Sequence, residues 1–272
     1  DHGAVPVSID LAQTRIDLRG EVKLGDGWLD SLQVRGAYGD YAHTEFEGDE
    51  TGTRFLSKGV EARADLVQAN RGGWRGRSGV QILSRKLSAI GEEAFFPTND
   101  VTRFGVFTLQ SARIGQFEVE AAVRYDRSTI NAPATGFNRS FDLWSSAIGG
   151  SFTPVEHLKI GANYIRGARA PAPEELLSDG PHVATQSYEL GNPAFRAEIS
   201  DGFEAYVRYD GDRVRLSLTG YLTDFDGFIT ALPTGAELDE LPVFQYTQLP
   251  ARFQGFEASG NFDALAWDGG KL

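Results

Sequence analysis

Histidines and paired carboxylates are the side chains in this sequence whose chemistry best suits them to hold a ligand. The chain has four histidines, His2, His43, His157 and His182, and two Glu-Glu pairs, Glu92-Glu93 and Glu174-Glu175. Imidazole and carboxylate groups that converge from different segments are zinc ligands. For each histidine the alternative is a polar loop residue that holds no ligand.

The same residues do not form a recognisable catalytic arrangement. Serine, histidine and aspartate follow no nucleophile motif, and the glycines fall at turns and within strands instead of forming a phosphate-binding loop. An acid pair alone is a weak signal for acid–base catalysis. We therefore expect a binding protein that is not an enzyme and that requires no cofactor.

The composition restricts the kinds of partner. The chain has 272 residues, no cysteine, no methionine and a formal net charge of -12 from 38 acidic and 26 basic residues. Without cysteine there is no disulfide framework or thiolate metal site, and the acidic balance argues against nucleic acid as a partner. Because a translated chain begins with methionine, we expect a processed chain or a piece of a longer one.

Alternation of apolar and polar residues is the dominant pattern along the chain. In the segment 14–24, apolar Ile16, Leu18 and Val22 share one face, and charged residues occupy the other. The segments 117–125 and 203–222 repeat the pattern, and the second contains an Asp210-Gly211 hairpin signal. A period of two predicts strands with one apolar and one polar face.

The connections between these strands alternate in length. Short turns are predicted near 25–27, 70–73, 114–116, 153–157 and 210–212, and long polar connections at 40–53, 86–102, 127–140, 167–198 and 225–251. About eleven long strands with all long connections at one end are typical of an outer-membrane barrel. A soluble β-sandwich also alternates, but it does not usually collect its long loops at one end.

The barrel prediction assigns the two strand faces. Apolar faces would contact lipid, where no water can solvate a charge. Polar faces, including those with Asp17, Arg19, Glu21, Lys23 and Arg35, would line the interior. So many charges of both signs favour a wide lumen with water or a polar plug, although interior ladders of salt bridges are the alternative for any one of them.

One stretch, 166–209, carries a specific family resemblance. Its matching residues are Arg169, Ala170, Pro171, Glu175, Leu176, Gly180, Pro181, His182, Tyr188, Glu189, Gly191, Asn192, Pro193, Glu198 and Ser200. In this order and spacing they resemble the barrel of the TonB-dependent receptors of Gram-negative outer membranes. The segments 58–66, 87–100 and 242–260 are similar to the branch that includes zinc-uptake receptors.

The resemblance implies a transmembrane antiparallel β-barrel of about 22 strands, filled by a plug domain. Residues 1–272 would be a partial barrel domain, truncated at both ends, with the plug absent. Such a receptor lies in outer-membrane lipid and binds a scarce ligand, such as a metal ion, a metal chelate or a siderophore. The TonB complex then drives import through the plug and an N-terminal box, both outside this chain. A passive porin and a secreted ligand-binding β-sandwich are the alternatives.

The resemblance also implies site residues. His182, Glu92 and Glu93 become candidate metal contacts, with His43 a weaker one, and zinc or an iron chelate becomes the transported ligand. The remaining motif residues are expected to be structural. Glu174 to Ser178 should form a short helical turn at the outer end of the eighth strand, and Arg169 and Glu175 should brace this loop against the barrel.

Overall fold

The computed structural model describes most of the chain. It covers residues 7–25, 27–48, 50–91, 94–182, 185–263, 266–267 and 270–271. Almost all of these residues lie in strands, as the alternating sequence predicts. None of the helices in these ranges is long and apolar enough to cross a membrane.

Eleven long antiparallel strands form one continuous sheet, and this confirms the predicted fold class. They are β1 (Val7–Lys23), β2 (Leu29–Glu47), β3 (Glu50–Gln68), β4 (Trp74–Gly91), β5 (Asn99–Ile114), β6 (Phe117–Ala132), β7 (Phe137–Val155), β8 (Leu158–Arg169), β11 (Glu198–Asp210), β12 (Val214–Leu238) and β13 (Leu241–Phe262). In the sheet each of these strands is hydrogen-bonded to the next one named, so that β8 pairs with β11. Within the described residues the sheet does not close on itself.

The β8–β11 connection contains its own small elements. They are α1 (Pro173–Leu177), β9 (Asp179–His182) and β10 (Ser187–Leu190), and α1 agrees with the helical turn predicted at 174–178. β10 pairs in parallel with β13, and β9 pairs with β10, so the loop extends the sheet beyond β13. Two further short strands, β14 (Ala266–Trp267) and β15 (Gly270–Lys271), pair with each other.

The two faces of the sheet differ in the way that the sequence predicts. Ile16, Leu18 and Val22 of β1 are exposed on the outward face, and Arg15 and Arg19 lie on the opposite, lumen face because successive side chains alternate. The same alternation gives an outward apolar band at 203–209 in β11 and 214–222 in β12. Exposed apolar side chains over so wide a face are typical of a surface that meets lipid.

Short turns connect the strands at one end of the sheet, as predicted. Three of the five predicted long connections, 40–53, 127–140 and 225–251, are wrong, however, because the strands there are separated only by 48–49, 133–136 and 239–240. β12 and β13, for example, are joined by Asp239 and Glu240 alone, both with positive φ, which is a tight hairpin. The polar composition of these segments indicated loops. A strand that continues beyond the lipid layer can, however, carry polar residues on both faces and still keep its backbone hydrogen bonds to the neighbouring strands.

The predicted loops at 86–102 and 167–198 do leave the sheet in part, and both lie at the end opposite the short turns, here called the mouth. At this end the apolar side chains change face. Val101, Ile130, Phe141 and Leu143 point to the lumen side and are buried. The lumen wall is therefore polar within the apolar band and apolar at the mouth.

The face assignment predicts the effect of a charge on β12. Leu218 lies on the outward face and Thr219 on the lumen face. In the full-length protein, Leu218→Lys should destabilise the folded barrel in lipid by about 2–4 kcal/mol. Thr219→Lys should have little effect, because its ammonium group stays in water. Heat-modifiable gel mobility after refolding into vesicles measures the folded fraction, and equal losses for both variants would contradict the assignment.

Candidate functional site

The loop between β8 and β11 folds onto the apolar side chains of the lumen wall at the mouth. Leu176 of α1 is buried together with Ala170 and Phe195 of the same loop. Their partners from the strands are Val101, Ile130, Phe141, Leu143 and Ile229, and these eight residues are here called the mouth core. The mouth core explains the change of face, because the loop shields the apolar side chains from water.

Arg169, the last residue of β8, holds the loop to the barrel wall. Its guanidinium donates hydrogen bonds to both oxygens of Glu175, at 2.9 and 3.1 Å, and to both oxygens of Glu198, at 2.9 and 3.3 Å. Glu175 also accepts the backbone N–H of Ala172 at 2.7 Å, which caps α1. Glu198 accepts the backbone N–H of Ile229 at 2.9 Å. One cation thus connects four segments of the chain.

The ionisation of these groups follows from their contacts. Burial acts to raise the pKa of Glu198, but hydrogen bonds from Arg169 and from the Ile229 N–H lower it overall. Burial likewise acts to lower the pKa of Arg169, and its two glutamate partners raise it. Arg169 and Glu198 therefore stay charged at neutral pH, and the contact between them persists there.

The other motif residues brace the same loop. A Cβ on Gly191 would lie 2.7 Å from the backbone of Leu176, so this position needs a residue without a side chain, and a Cβ on Gly180 would fit only if Phe95, whose Cα would be 3.0 Å away, shifted. Asn192 donates its N–H to the carbonyl of Glu175 at 2.9 Å. The carbonyl of Pro193 accepts a hydrogen bond from Arg139, and the hydroxyl of Tyr188 donates one to Asp179. Pro171 is fully buried, and Pro181 lies opposite Tyr188 in the β9–β10 ladder.

His182 is the last residue of β9, and it takes part in a hydrogen-bond network separate from that of Arg169. Its Nδ1 is 2.9 Å from Oε1 of Glu189, and the hydroxyl of Tyr246 donates to the other oxygen of Glu189 at 3.0 Å. The imidazole stacks on Phe95 with ring centroids 4.2 Å apart. Burial raises the pKa of Glu189, but the bonds to His182 and Tyr246 lower it overall. The carboxylate is therefore ionised at neutral pH and fixes the imidazole.

His43 lies on the same aromatic cluster from the other side. It stacks on Phe55 at 4.6 Å, and Phe55 contacts Phe95 at 6.1 Å. Its Nε2 is 3.5 Å from Oε1 of Glu45. The structure thus brings the two predicted histidines onto one cluster, where each is paired with its own glutamate.

The predicted metal centre is only partly within the described residues. Glu92 and Glu93 lie outside them, as does His2. His157 lies in a turn at the end opposite the mouth, 3.8 Å from Glu156. Among the residues that the structure describes, no three His, Asp or Glu side chains converge into a metal-binding group. Metal contact by His182, His43, Glu92 and Glu93 therefore stays a prediction.

Contacts at the mouth link strands that are far apart in the sheet. β10 pairs with β13 at Tyr188 opposite Val243. Asp179 of β9 donates its N–H to the carbonyl of Phe95 at 2.7 Å, and Phe95 packs on Phe55 of β3. The β4–β5 and β8–β11 loops therefore join into one layer, the mouth layer, which connects β13 to β3. The sequence motif marks the loop, but this long-range pairing has no local signal.

Comparisons with known proteins agree with this architecture. A family model described as "TonB dependent receptor-like, beta-barrel" matches residues 5–272. The copper transporter OprC has a TM-score of 0.79 and 15% identity, over 94% of this chain and 44% of that chain. The Neisseria meningitidis FrpB iron transporter (F5-1 variant, apoprotein form) has a TM-score of 0.71 and 12% identity, over 93% of this chain and 42% of that chain.

A third solved structure is a double mutant of the Serratia marcescens hemophore receptor HasR in complex with its hemophore HasA and heme. Its TM-score is 0.74 and its identity 19%, over 95% of this chain and 47% of that chain. The chain thus spans less than half the length of these three structures. At such identities the likeness establishes the fold.

The role of Arg169 can be tested against its neighbour Arg166, which pairs with Asp201 on the outward face. Arg169→Met should weaken the closed loop by about 1–2 kcal/mol, a figure reduced because water screens part of the guanidinium. Limited proteolysis of segment 170–197 in the folded barrel should then be roughly five- to thirtyfold faster. Arg166→Met should leave the rate near that of the wild type. Equal rates for both variants would show that Arg169 does not hold the loop.

Proposed function

Because the chain belongs to the TonB-dependent receptor β-barrel family, we propose that it forms part of the wall and mouth of an outer-membrane receptor. The receptor binds a scarce extracellular ligand and imports it into the periplasm. The observation that carries this proposal is the mouth layer. The Arg169 contacts and the mouth core hold the β8–β11 loop over the lumen, and the β4–β5 loop joins it through Phe95. A passive porin has no need of such a layer.

The open edges of the sheet bear on the rest of the receptor. An unpaired strand edge cannot remain in lipid, because its backbone N–H and C=O groups have no water to bond. We propose that further strands cover the edge of β1 that faces away from β2 and the part of β13 that neither β12 nor β10 covers. We propose that these strands, a plug in the lumen and the contact with the TonB complex belong to the remainder of a longer receptor.

The class of ligand is proposed from the neighbours and from the histidines. Two neighbours are named as copper and iron transporters, and a third is a receptor in complex with a heme-carrying hemophore. These names favour a metal ion, a metal chelate or a siderophore as the ligand. Zinc is one member of this class, and imidazole with carboxylate is a suitable donor set for it.

His182 is proposed as the residue of the mouth layer that contacts the ligand. Glu189 bonds its Nδ1 and fixes the ring, which is how carboxylates orient metal-binding histidines through the other nitrogen. Nε2 makes no hydrogen bond with the described residues. Stacking on Phe95 gives the ring a second role as a brace. A test must therefore measure both ligand uptake and loop closure.

Growth of a strain that lacks the full-length receptor, under limiting zinc, iron chelate or cobalamin, tests the function. Restoring the wild-type gene should rescue growth under one of these limitations. If the ligand is zinc, His182→Ala should raise the zinc needed for half-maximal growth about ten- to a hundredfold. His157→Ala, in a turn far from the mouth, is the matched control and should change nothing.

The outcomes separate the hypotheses. If no limitation affects the deletion strain, metal uptake is wrong. If His182→Ala leaves growth unchanged and only accelerates proteolysis of segment 170–197, His182 is a brace and not a ligand contact. A Glu189→Gln variant with the growth defect of His182→Ala and an intact loop would support the orienting role of Glu189.

A further inference from the structure

Three arginines stand side by side on the lumen face of neighbouring strands. Arg19 of β1 is directly opposite Arg35 of β2, and Arg35 is directly opposite Arg63 of β3. Gln81 of β4 continues the row. Directly opposite residues in a sheet have Cβ atoms about 5 Å apart, and like charges in such positions destabilise the pairing. The row therefore costs the sheet stability unless an anion neutralises it.

Two of the three arginines have no bonded partner among the described residues, and Arg19 interacts with Asp17 only at longer range. Arg63 bonds Asp65 at 2.9 and 3.1 Å. Neither Arg19 nor Arg35 makes an ion pair or a side-chain hydrogen bond within the part of the chain that the structure describes. The two acids of β1 on either side of Arg19 bond other cations: both oxygens of Asp17 accept from Arg15 at 2.9 Å, and Glu21 pairs with Lys23 at 2.9 Å. Nearby carboxylates thus do not neutralise the two free guanidinium groups.

The row forms one side of a concave site. A cavity of about 260 Å³ is lined by four arginines, Arg15, Arg19, Arg35 and Arg63, and by two acids, Asp17 and Glu61, together with neutral residues. Its four arginines outnumber its two acids, although the whole chain carries a net charge of -12. Of the two acids, Asp17 is held by Arg15, and Glu61 accepts a hydrogen bond from Gln81. The site is therefore a local positive region on the wall of an acidic protein.

We infer that Arg19 and Arg35, with Arg63 beside them, form an anion-binding site on the lumen wall for a small solute with two or more carboxylate groups. Each guanidinium presents a planar fork of N–H donors that matches one carboxylate. Two such forks on adjacent strands match two carboxylates of one molecule. A monocarboxylate engages only one fork and binds more weakly.

The site is distinct from the mouth layer. It lies within the apolar band, on strands whose outward residues at the same level include Leu18 and Val34. The inference goes beyond the proposed import of a metal ligand, because it concerns binding to the wall whether or not that ligand is a carboxylate chelate. Binding and import can therefore be measured separately.

Isothermal titration of citrate into the purified full-length receptor in detergent tests the site. The wild type should bind citrate saturably, and the double variant Arg19→Gln/Arg35→Gln should bind it roughly ten- to a hundredfold more weakly. The matched control is Arg54→Gln/Arg213→Gln, which removes the same charge from the opposite face of β3 and from the β11–β12 turn. It should bind citrate as the wild type does. Acetate should bind all three proteins weakly.

Each result decides the inference. Absence of citrate binding to the wild type would overturn it, even if the double variant unfolds more easily, because the row would then serve carboxylates of the receptor itself. Equal weakening in the double variant and in the control would also overturn it, since only net charge would matter. Citrate binding that needs Arg19 and Arg35 supports the site even if metal-limited growth is unaffected, and in that case the proposed import alone fails.

Discussion

The structure depends on a constraint that reverses along β5, β6 and β7, between the apolar band and the mouth. Within the apolar band the outward face must be apolar, because lipid cannot solvate charge, and the lumen face carries the charged residues. At the mouth the outward face meets water, so the apolar side chains are free to point inward, where Val101, Ile130, Phe141 and Leu143 form one side of a buried core. This reversal creates an apolar inner surface at one end of the barrel. The long β8–β11 loop folds inward because it buries its own apolar side chains against that surface.

Hydrophobic contact brings the β8–β11 loop onto the lumen wall, and charged hydrogen bonds then determine its position. Leu176 supplies burial, which is non-directional, but Arg169 bonds Glu175 and Glu198 in a planar geometry that allows one placement of the loop. The β4–β5 loop joins the layer through Phe95, which stacks against His182 and packs on Phe55. A rigid outer layer of this kind can present a few polar groups to a solute. The lumen below it presents arginines, so a solute meets different chemistry at each level.

Much of this architecture is predictable from the sequence, and the exceptions have physical reasons. The alternation in 14–24 and 203–222 predicts both the strands and their faces, because a sheet face in contact with lipid must be apolar. The stretch from Arg169 to Ser200 marks the bracing loop. Polar segments such as 225–251 misled the prediction, since a strand in water tolerates polar residues on both faces. The stack of His182 on Phe95 and the row Arg19–Arg35–Arg63 need the register between strands, which composition and spacing do not encode.

We propose that the mouth layer and a plug together obstruct the lumen, so that the barrel belongs to a gated receptor and not to an open pore. Electrical conductance of the full-length protein in a planar lipid bilayer tests this most directly. We expect a conductance close to that of the bare bilayer, because the loops and the proposed plug both obstruct the lumen, and a rise in brief openings when Arg169→Met releases the loop. A steady, large conductance in the wild type that Arg169→Met leaves unchanged would contradict it and would identify a passive porin.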